Sequence, residues 1–181
     1  MRHLTFKQGV HPSYNKSLTA EKKIEELPLP DTIDLPLIQH AGKPGELLKK
    51  KGDEVAIGEV VSQESGKISA RLHSPVSGKI KRLSQKPLPG GRMSEYLEIE
   101  VDKESTLSHT WEEQSGKDLD KDSLINAILE AGIVGMGGAT FPTHVKYSPP
   151  PSITLDTLII NGAECEPYLT CDHRLMLEET E

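Results

Sequence analysis

The sequence predicts an α+β protein: a small β-rich sandwich or barrel over residues 33–101, followed by the start of an α/β unit over residues 123–181. Three observations carry this. Seven short β-prone pieces, separated by turns, crowd into residues 33–101. Leu124, Ile125, Ile128 and Leu129 then form one helical stripe ahead of a glycine-dense stretch. Last, Thr157-Leu158-Ile159-Ile160 is an apolar, β-branched run of the kind that forms a buried parallel strand.

In chain order, residues 1–32 read as an irregular arm, because Pro28 and Pro30, with Pro36 just beyond, oppose regular helix or strand. Ala20–Glu26 has the composition of one helical turn but is too short to stand alone. The expected strands are Asp34–Leu37, Glu46–Leu48, Glu54–Ala56, Glu59–Val61, Lys67–Leu72, Gly78–Leu83 and Tyr96–Val101. Period-two alternation puts Ile80 with Arg82, and Leu97 with Ile99 and Val101, on common faces. Residues 102–122 hold seven acids against three lysines and read as a surface linker. The lone tryptophan, Trp111, is expected to dock this linker onto a domain. A helix follows, capped at its start by Asp122 or Ser123 and ended by Gly132. A second, short helix is expected from about Pro142, loop at Pro149–Pro151, and a last helix over Thr170–Glu181. That helix lacks a terminating cap, so the chain is expected to be a fragment of a longer protein.

Composition excludes several function classes. At 181 residues, with 35% hydrophobic and 4% aromatic content, the cores must be small and aliphatic. A net charge of −7 argues against nucleic-acid binding. No run is long and apolar enough for a membrane span, and the first residues lack a signal peptide's apolar core. Two cysteines, Cys165 and Cys171, cannot supply the four thiolates of an iron–sulfur cluster, and the seven histidines show no metal-ligand spacing. No metal site is expected.

The chemistry-bearing stretch is Gly135-Met136-Gly137-Gly138-Ala139-Thr140-Phe141-Pro142-Thr143-His144-Val145-Lys146, followed by Asn161-Gly162-Ala163-Glu164-Cys165-Glu166-Pro167. Gly135, Gly137 and Gly138 let the backbone approach a bulky ligand, since no Cβ intervenes. Pro142 suits the first turn of a helix, whose free N–H groups attract phosphate. Asn161, Glu164 and Glu166 offer acceptors for the polar edges of a sugar or ring. Glycine loop, lysine, strand and acidic loop together read as a site for a nucleotide-like cofactor. The spacing matches neither the common dinucleotide fingerprint nor a Walker loop.

This Gly-x-Gly-Gly-x-x-Phe-Pro-Thr-x-x-Lys and Asn-x-x-Glu-x-Glu-Pro pattern resembles the flavin and NADH site of the NADH-oxidising subunit of respiratory complex I. Gly9-Val10-His11-Pro12, Glu25–Pro30, Gln39-His40 and Glu164–Thr170 narrow the resemblance to the RnfC family, a component of the Rnf-type electron transport complex. It runs along essentially the whole chain. It implies a Rossmann-like flavin/NADH-binding domain, with the cofactors held by Gly135, Gly137, Gly138, Lys146, Asn161, Glu164 and Glu166, and with Glu166, close to the nicotinamide, as the catalytic residue. It further implies two [4Fe–4S] clusters beyond residue 181, other complex subunits and NADH as partners, and a peripheral place on the cytoplasmic side of the inner membrane. Two positions depart from the complex I pattern: Met136 stands where that family has arginine, and Ala163 where it has an acid.

Gly52-Asp53-x-Val55-x-x-Gly58-Glu59 and His73-Ser74-Pro75-Val76-Ser77-Gly78 resemble the barrel-sandwich hybrid of biotinyl and lipoyl carrier domains. Lys67 falls where a lipoyl domain carries its modified lysine. Its flanks, Gly66 and Ile68, are wrong for either ligase, so Lys67 is expected to be an unmodified lysine at a hairpin tip. The rival to the cofactor reading is a non-catalytic docking module with a structural glycine loop.

Overall fold

The computed structural model describes residues 9–10, 12–110 and 116–179. Trp111, and with it the expected docking of the acidic linker, lies outside the described residues. Two units separate: Leu29–Ile153, and Met1–Pro28 with Thr154–Glu181.

In the first unit the chain forms β1 (Thr32–Pro36), β2 (Glu46–Leu47), β3 (Glu54–Val55), β4 (Val60–Gln63), β5 (Leu72–His73), β6 (Gly78–Pro87) and β7 (Met93–Val101). A four-stranded antiparallel sheet runs β1-β7-β6-β3, and a three-stranded one runs β2-β4-β5. Each expected β piece contributes a strand, though of the stretch Lys67–Leu72 only Leu72 pairs, together with His73. Lys67 stands exposed in the bend between β4 and β5, where Gly66 turns at φ +87°.

The core is aliphatic, as the composition requires. Leu35, Leu37, Val55, Val61, Leu72, Val76, Ile80, Leu97 and Ile99 are buried together. Ile33 and Leu35 of β1 face Ile99 and Leu97 of β7, so cross-strand pairs supply the packing. One expectation on face fails here. Arg82 does not share the face of Ile80, because the register shifts between them. The irregularity turns Arg82 toward Glu98, and Arg82 Nε donates to Glu98 Oε2 at 2.7 Å. Beyond β7, residues 105–109 strap back onto the sheets: Ser77 Oγ donates to the Leu107 carbonyl at 2.5 Å and the His109 N–H to the Ile57 carbonyl at 2.8 Å.

Helix α1 (Lys121–Glu130) starts earlier than expected. Asp120, not Asp122 or Ser123, is the N-cap and accepts the Ser123 N–H at 2.8 Å. Ser123 is the third helical residue, and its amide needs a partner that only a side chain upstream can give. Gly132 follows the helix at φ +66°, the left-handed turn expected of it. Helix α2 (Thr143–Lys146) is a single turn capped by Pro142, which is fully buried.

In the second unit the expected turn at Ala20–Glu26 is replaced by an earlier 3-10 turn at Lys16–Leu18. Tertiary contacts override the weak local preference. Lys16 Nζ donates to the carbonyls of Glu164 and Leu169 at 2.7 and 2.8 Å, and Arg174 Nη1 to that of Ala20 at 3.1 Å. Ile24 N–H donates to Glu178 at 3.1 Å. Helix α3 (Cys171–Glu178) forms within the expected span. Thr157–Ile160, however, is not a strand: it lies outside regular structure and is exposed. A buried parallel strand needs hydrogen-bonding neighbours on both sides, and among the described residues of this unit there is no strand to provide them.

Candidate functional site

The glycine loop belongs to unit Leu29–Ile153. It is a closed hairpin-like loop: Gly135 N–H donates to the Phe141 carbonyl at 3.0 Å, Thr143 N–H to that of Ile133 at 3.0 Å, and Val134 bridges Pro142 antiparallel. Inside it Thr140 N–H reaches the Gly137 carbonyl at 3.2 Å. Gly138 has φ +56° and Thr140 φ +47°. The second value is unusual, because a β-branched side chain is crowded in the left-handed region. Among the described residues, the N–H groups of Met136, Gly137, Gly138 and Ala139 have no intramolecular partner, and all four residues are exposed. A Cβ on Gly137 or Gly138 would meet nothing within 4 Å. The loop therefore presents a run of four consecutive bare donors to solvent. The one-turn α2 adds little to it, since its first N–H is already given to Ile133.

Lys146, exposed at the end of α2, folds back over the loop. A Cβ on Gly135 would stand 2.9 Å from its Nζ. Its Nζ therefore lies against Gly135, at the start of the loop. His144, earlier in the same turn, has its Nδ1 buried without a partner among the described residues. Burial pushes its imidazole pKa down, against the pull of Glu64.

Behind the loop a cavity of about 450 Å³ separates it from the β sheets, with Gln39, His40, Arg71, His73, Met136 and Thr140 in its walls. Arg71 Nε donates to Glu64 at 2.7 Å and Nη1 lies 3.8 Å from Glu130. The Arg71 guanidinium holds the Glu64 carboxyl below its usual range. Burial lowers the His73 pKa, against a bond to the Glu130 carbonyl. Gly132 fits against this wall: a Cβ there would come within 3.2 Å of His73 Cε1.

Asn161, Glu164 and Glu166 belong to the other unit. Asn161 and Glu166 are exposed, and Asn161 Oδ1 accepts the Ala163 N–H at 2.9 Å in a local turn. Glu164 serves α3. Its Oε1 accepts the Asp172 N–H at 2.9 Å and the Cys171 thiol at 3.3 Å, standing in for the cap that Thr170 does not make. Burial raises the Glu164 pKa, but these bonds outweigh it and leave the carboxyl below its usual range; the same carboxylate raises the Cys171 thiol. Ligand atoms of Glu164, Cys171 and Asp172 lie within 4.8 Å of one another, a cluster that the cap accounts for. No sequence pattern marks this cap, because donor and acceptor come from opposite sides of a turn. Nor did sequence reasoning assign a role to His40, although Gln39-His40 stood out as a motif.

Comparison with known proteins places these features. Residues 4–104 match the family described as the RnfC barrel sandwich hybrid domain. The chain belongs to the RnfC family. Residues 128–181 match the Nuo51 FMN-binding domain, a span that begins in α1 and contains both the glycine loop and the acidic loop. Similar proteins include the C-subunit of the proton-translocating ferredoxin:NAD(+) oxidoreductase complex of Clostridium ljungdahlii, 43% identical over 98% of this chain and 39% of that protein. The Na(+)-translocating counterpart of Acetobacterium woodii is 41% identical over the whole chain and 41% of that protein. The C-subunit of the ion-translocating oxidoreductase complex of Rhodobacter capsulatus is 39% identical over the whole chain and 35% of that protein. The chain thus spans about two-fifths of the length of these relatives. Among the described residues no helix is long and apolar enough to cross a membrane.

Proposed function

We propose that the chain is the part of an RnfC-type protein that holds FMN, in a complex that moves electrons between NAD(H) and ferredoxin and couples this to ion translocation. The observation that carries the reading is the glycine loop: four bare N–H groups on residues 136–139, with the Lys146 ammonium lying against Gly135. The donors and cation suit the phosphate and the electron-rich edge of a flavin, and the open space over Gly137 and Gly138 admits its bulk. The match to an FMN-binding domain supports both the cofactor and a Rossmann-like setting for residues 123–181.

Gly135, Gly137, Gly138 and Lys146 would hold the cofactor; Asn161, Glu164 and Glu166 are assigned to it by the resemblance of their motif alone. Bound FMN would supply the junction between two-electron exchange with nicotinamide and one-electron exchange with [4Fe–4S] clusters. Lys146 would stabilise negative charge at the flavin edge. Glu166, whose carboxylate is exposed, would act on the NADH side, where a ribose hydroxyl or ring N–H can donate to it. With only Cys165 and Cys171 available, the reading puts the clusters outside these 181 residues. Other subunits would hold the chain at the cytoplasmic face of the inner membrane.

A second reading, a docking module, has one observation in its favour: the Glu164 carboxylate is already used to cap α3. The test is FMN content and NADH-reducible absorbance of the purified complex, wild type beside Lys146→Ala. Loss of flavin or of NADH reduction in the variant is expected. Equal flavin and equal reduction would leave the docking module as the better account.

A further inference from the structure

We propose that His40 is a positioning residue that sets the conformation of the glycine loop from the barrel side, an inference that rests on the flavin reading only for its functional consequence. His40 is 6% exposed and sits between β1 and β2. Its Nε2 lies 3.1 Å from the Ala70 amide nitrogen, and its Nδ1 lies 3.0 Å from the Ala41 carbonyl oxygen. The amide can only donate and the carbonyl can only accept. The ring is therefore neutral, with its proton on Nδ1. Both nitrogens are used, so the imidazole pins residue 41 against residue 70.

Residue 41 is what touches the loop. Its N–H donates to the Thr140 carbonyl at 3.3 Å. Thr140 is the residue held at φ +47°. A strained backbone persists only where its surroundings over-determine it. Here the surroundings are the Ala41 N–H on one side and the Gly137 carbonyl on the other. The segment behind residue 41 is stiff in turn: Lys43 N–H donates to the Ile68 carbonyl at 3.0 Å, and Ser69 Oγ to the Lys43 carbonyl at 3.0 Å. The chain of contacts runs from Ala70 through His40 and Ala41 to Thr140. Without it the loop would relax at Thr140, and the backbone that carries the bare N–H groups of residues 136–139 would lose its fixed course.

Amide hydrogen exchange tests this on the 181-residue chain, with His40→Leu, His40→Asn and His40→Gln compared. An asparagine amide nitrogen overlays Nδ1 and keeps the donor to Ala41; a glutamine oxygen overlays Nε2 and keeps the acceptor for Ala70. His40→Leu is expected to speed exchange at Ala41, Gly135 and Thr140 by about five- to tenfold, the factor equivalent to one net hydrogen bond. Amides paired between β6 and β7 should stay as in wild type. His40→Asn and His40→Gln each keep only one of the two bonds, so neither should restore the loop amides fully. Unchanged loop amides, acceleration of all amides together, or full rescue by either single-bond variant would each overturn the proposal. FMN binding by the complex is read in parallel. Retention of FMN by His40→Leu despite a loosened loop would overturn the positioning role. Absence of FMN from the wild-type complex would sink the flavin reading instead, and the exchange data would still decide whether His40 shapes the loop.

Discussion

The ammonium of Lys146 lies against Gly135, where a Cβ would stand 2.9 Å from Nζ. The glycine gives the lysine its place, and the lysine brings a positive charge to the loop. Lys146→Ala is expected to weaken flavin retention and to lower the flavin potential, because the cation favours the reduced, anionic form. Gly135→Ala should displace the lysine's flexible end and give a milder version of the same effect. Flavin content and redox titration of the complex check both.

Glu166→Gln should leave flavin content near wild type and slow reduction by NADH. The side chain is exposed and engaged in no hydrogen bond or ion pair among the described residues, so its loss should not disturb the fold. Stopped-flow reduction by NADH, set beside reduction by dithionite, separates the two steps. Equal slowing with both reductants would show that Glu166 does not act on the nicotinamide.

Glu164→Ala should unseat the start of α3. Losing a side-chain cap typically costs about 1 kcal/mol. Faster amide exchange at Asp172, with residues 29–153 unaffected, is the expected result. Glu164→Gln keeps an acceptor oxygen and should cost less. If the two variants lose equal protection, charge rather than the hydrogen bond holds the helix.

The pH dependence of stability should carry a histidine signature. Burial lowers the pKa of both His73 and His144 in the folded protein. A depressed histidine favours its neutral form, so its contribution is fully present above the unfolded value of about 6.5 and is lost as pH falls through the folded value. Urea midpoints should therefore decline below about pH 6.5, and His144→Gln should flatten the decline. A second loss should follow at lower pH as Glu64, held down by Arg71, takes up its proton.

Leu97 is fully buried between β1 and β6, opposite Leu35 and Leu83. Leu97→Ala should destabilise residues 29–153 by about 2–5 kcal/mol, the usual cost of such a cavity. Denaturant melts followed by circular dichroism measure it. A loss well below about 1 kcal/mol would mean that the core collapses around the gap.

The β-rich first part was legible because its signals are local. Leu35, Leu97 and Ile99 alternate with polar residues on short strands, and glycines mark the turns. The end of α1 at Gly132 and the start of α2 at Pro142 were legible for the same reason, since each depends on a backbone angle that few residues supply. The placement of Arg82 was not, because one irregular residue pair inverts a period-two pattern and nothing in the alternation marks it. Thr157–Ile160 has the composition of a strand, but a strand is made by its neighbours, and composition cannot summon them.

The glycines, Lys146 and the acids at 164 and 166 were set out by the sequence as a motif, together with the family that owns it. Their chemistry depends on residue type, and residue type is what a sequence states. Tertiary structure alone decided that Lys146 folds onto Gly135, that Glu164 turns to the first amides of α3, and that a neutral His40 holds Ala41 against the loop at Thr140. Those contacts join residues 7 to about 100 positions apart, and they form because the course of the folded backbone, which residue type does not state, brings these side chains within reach of one another.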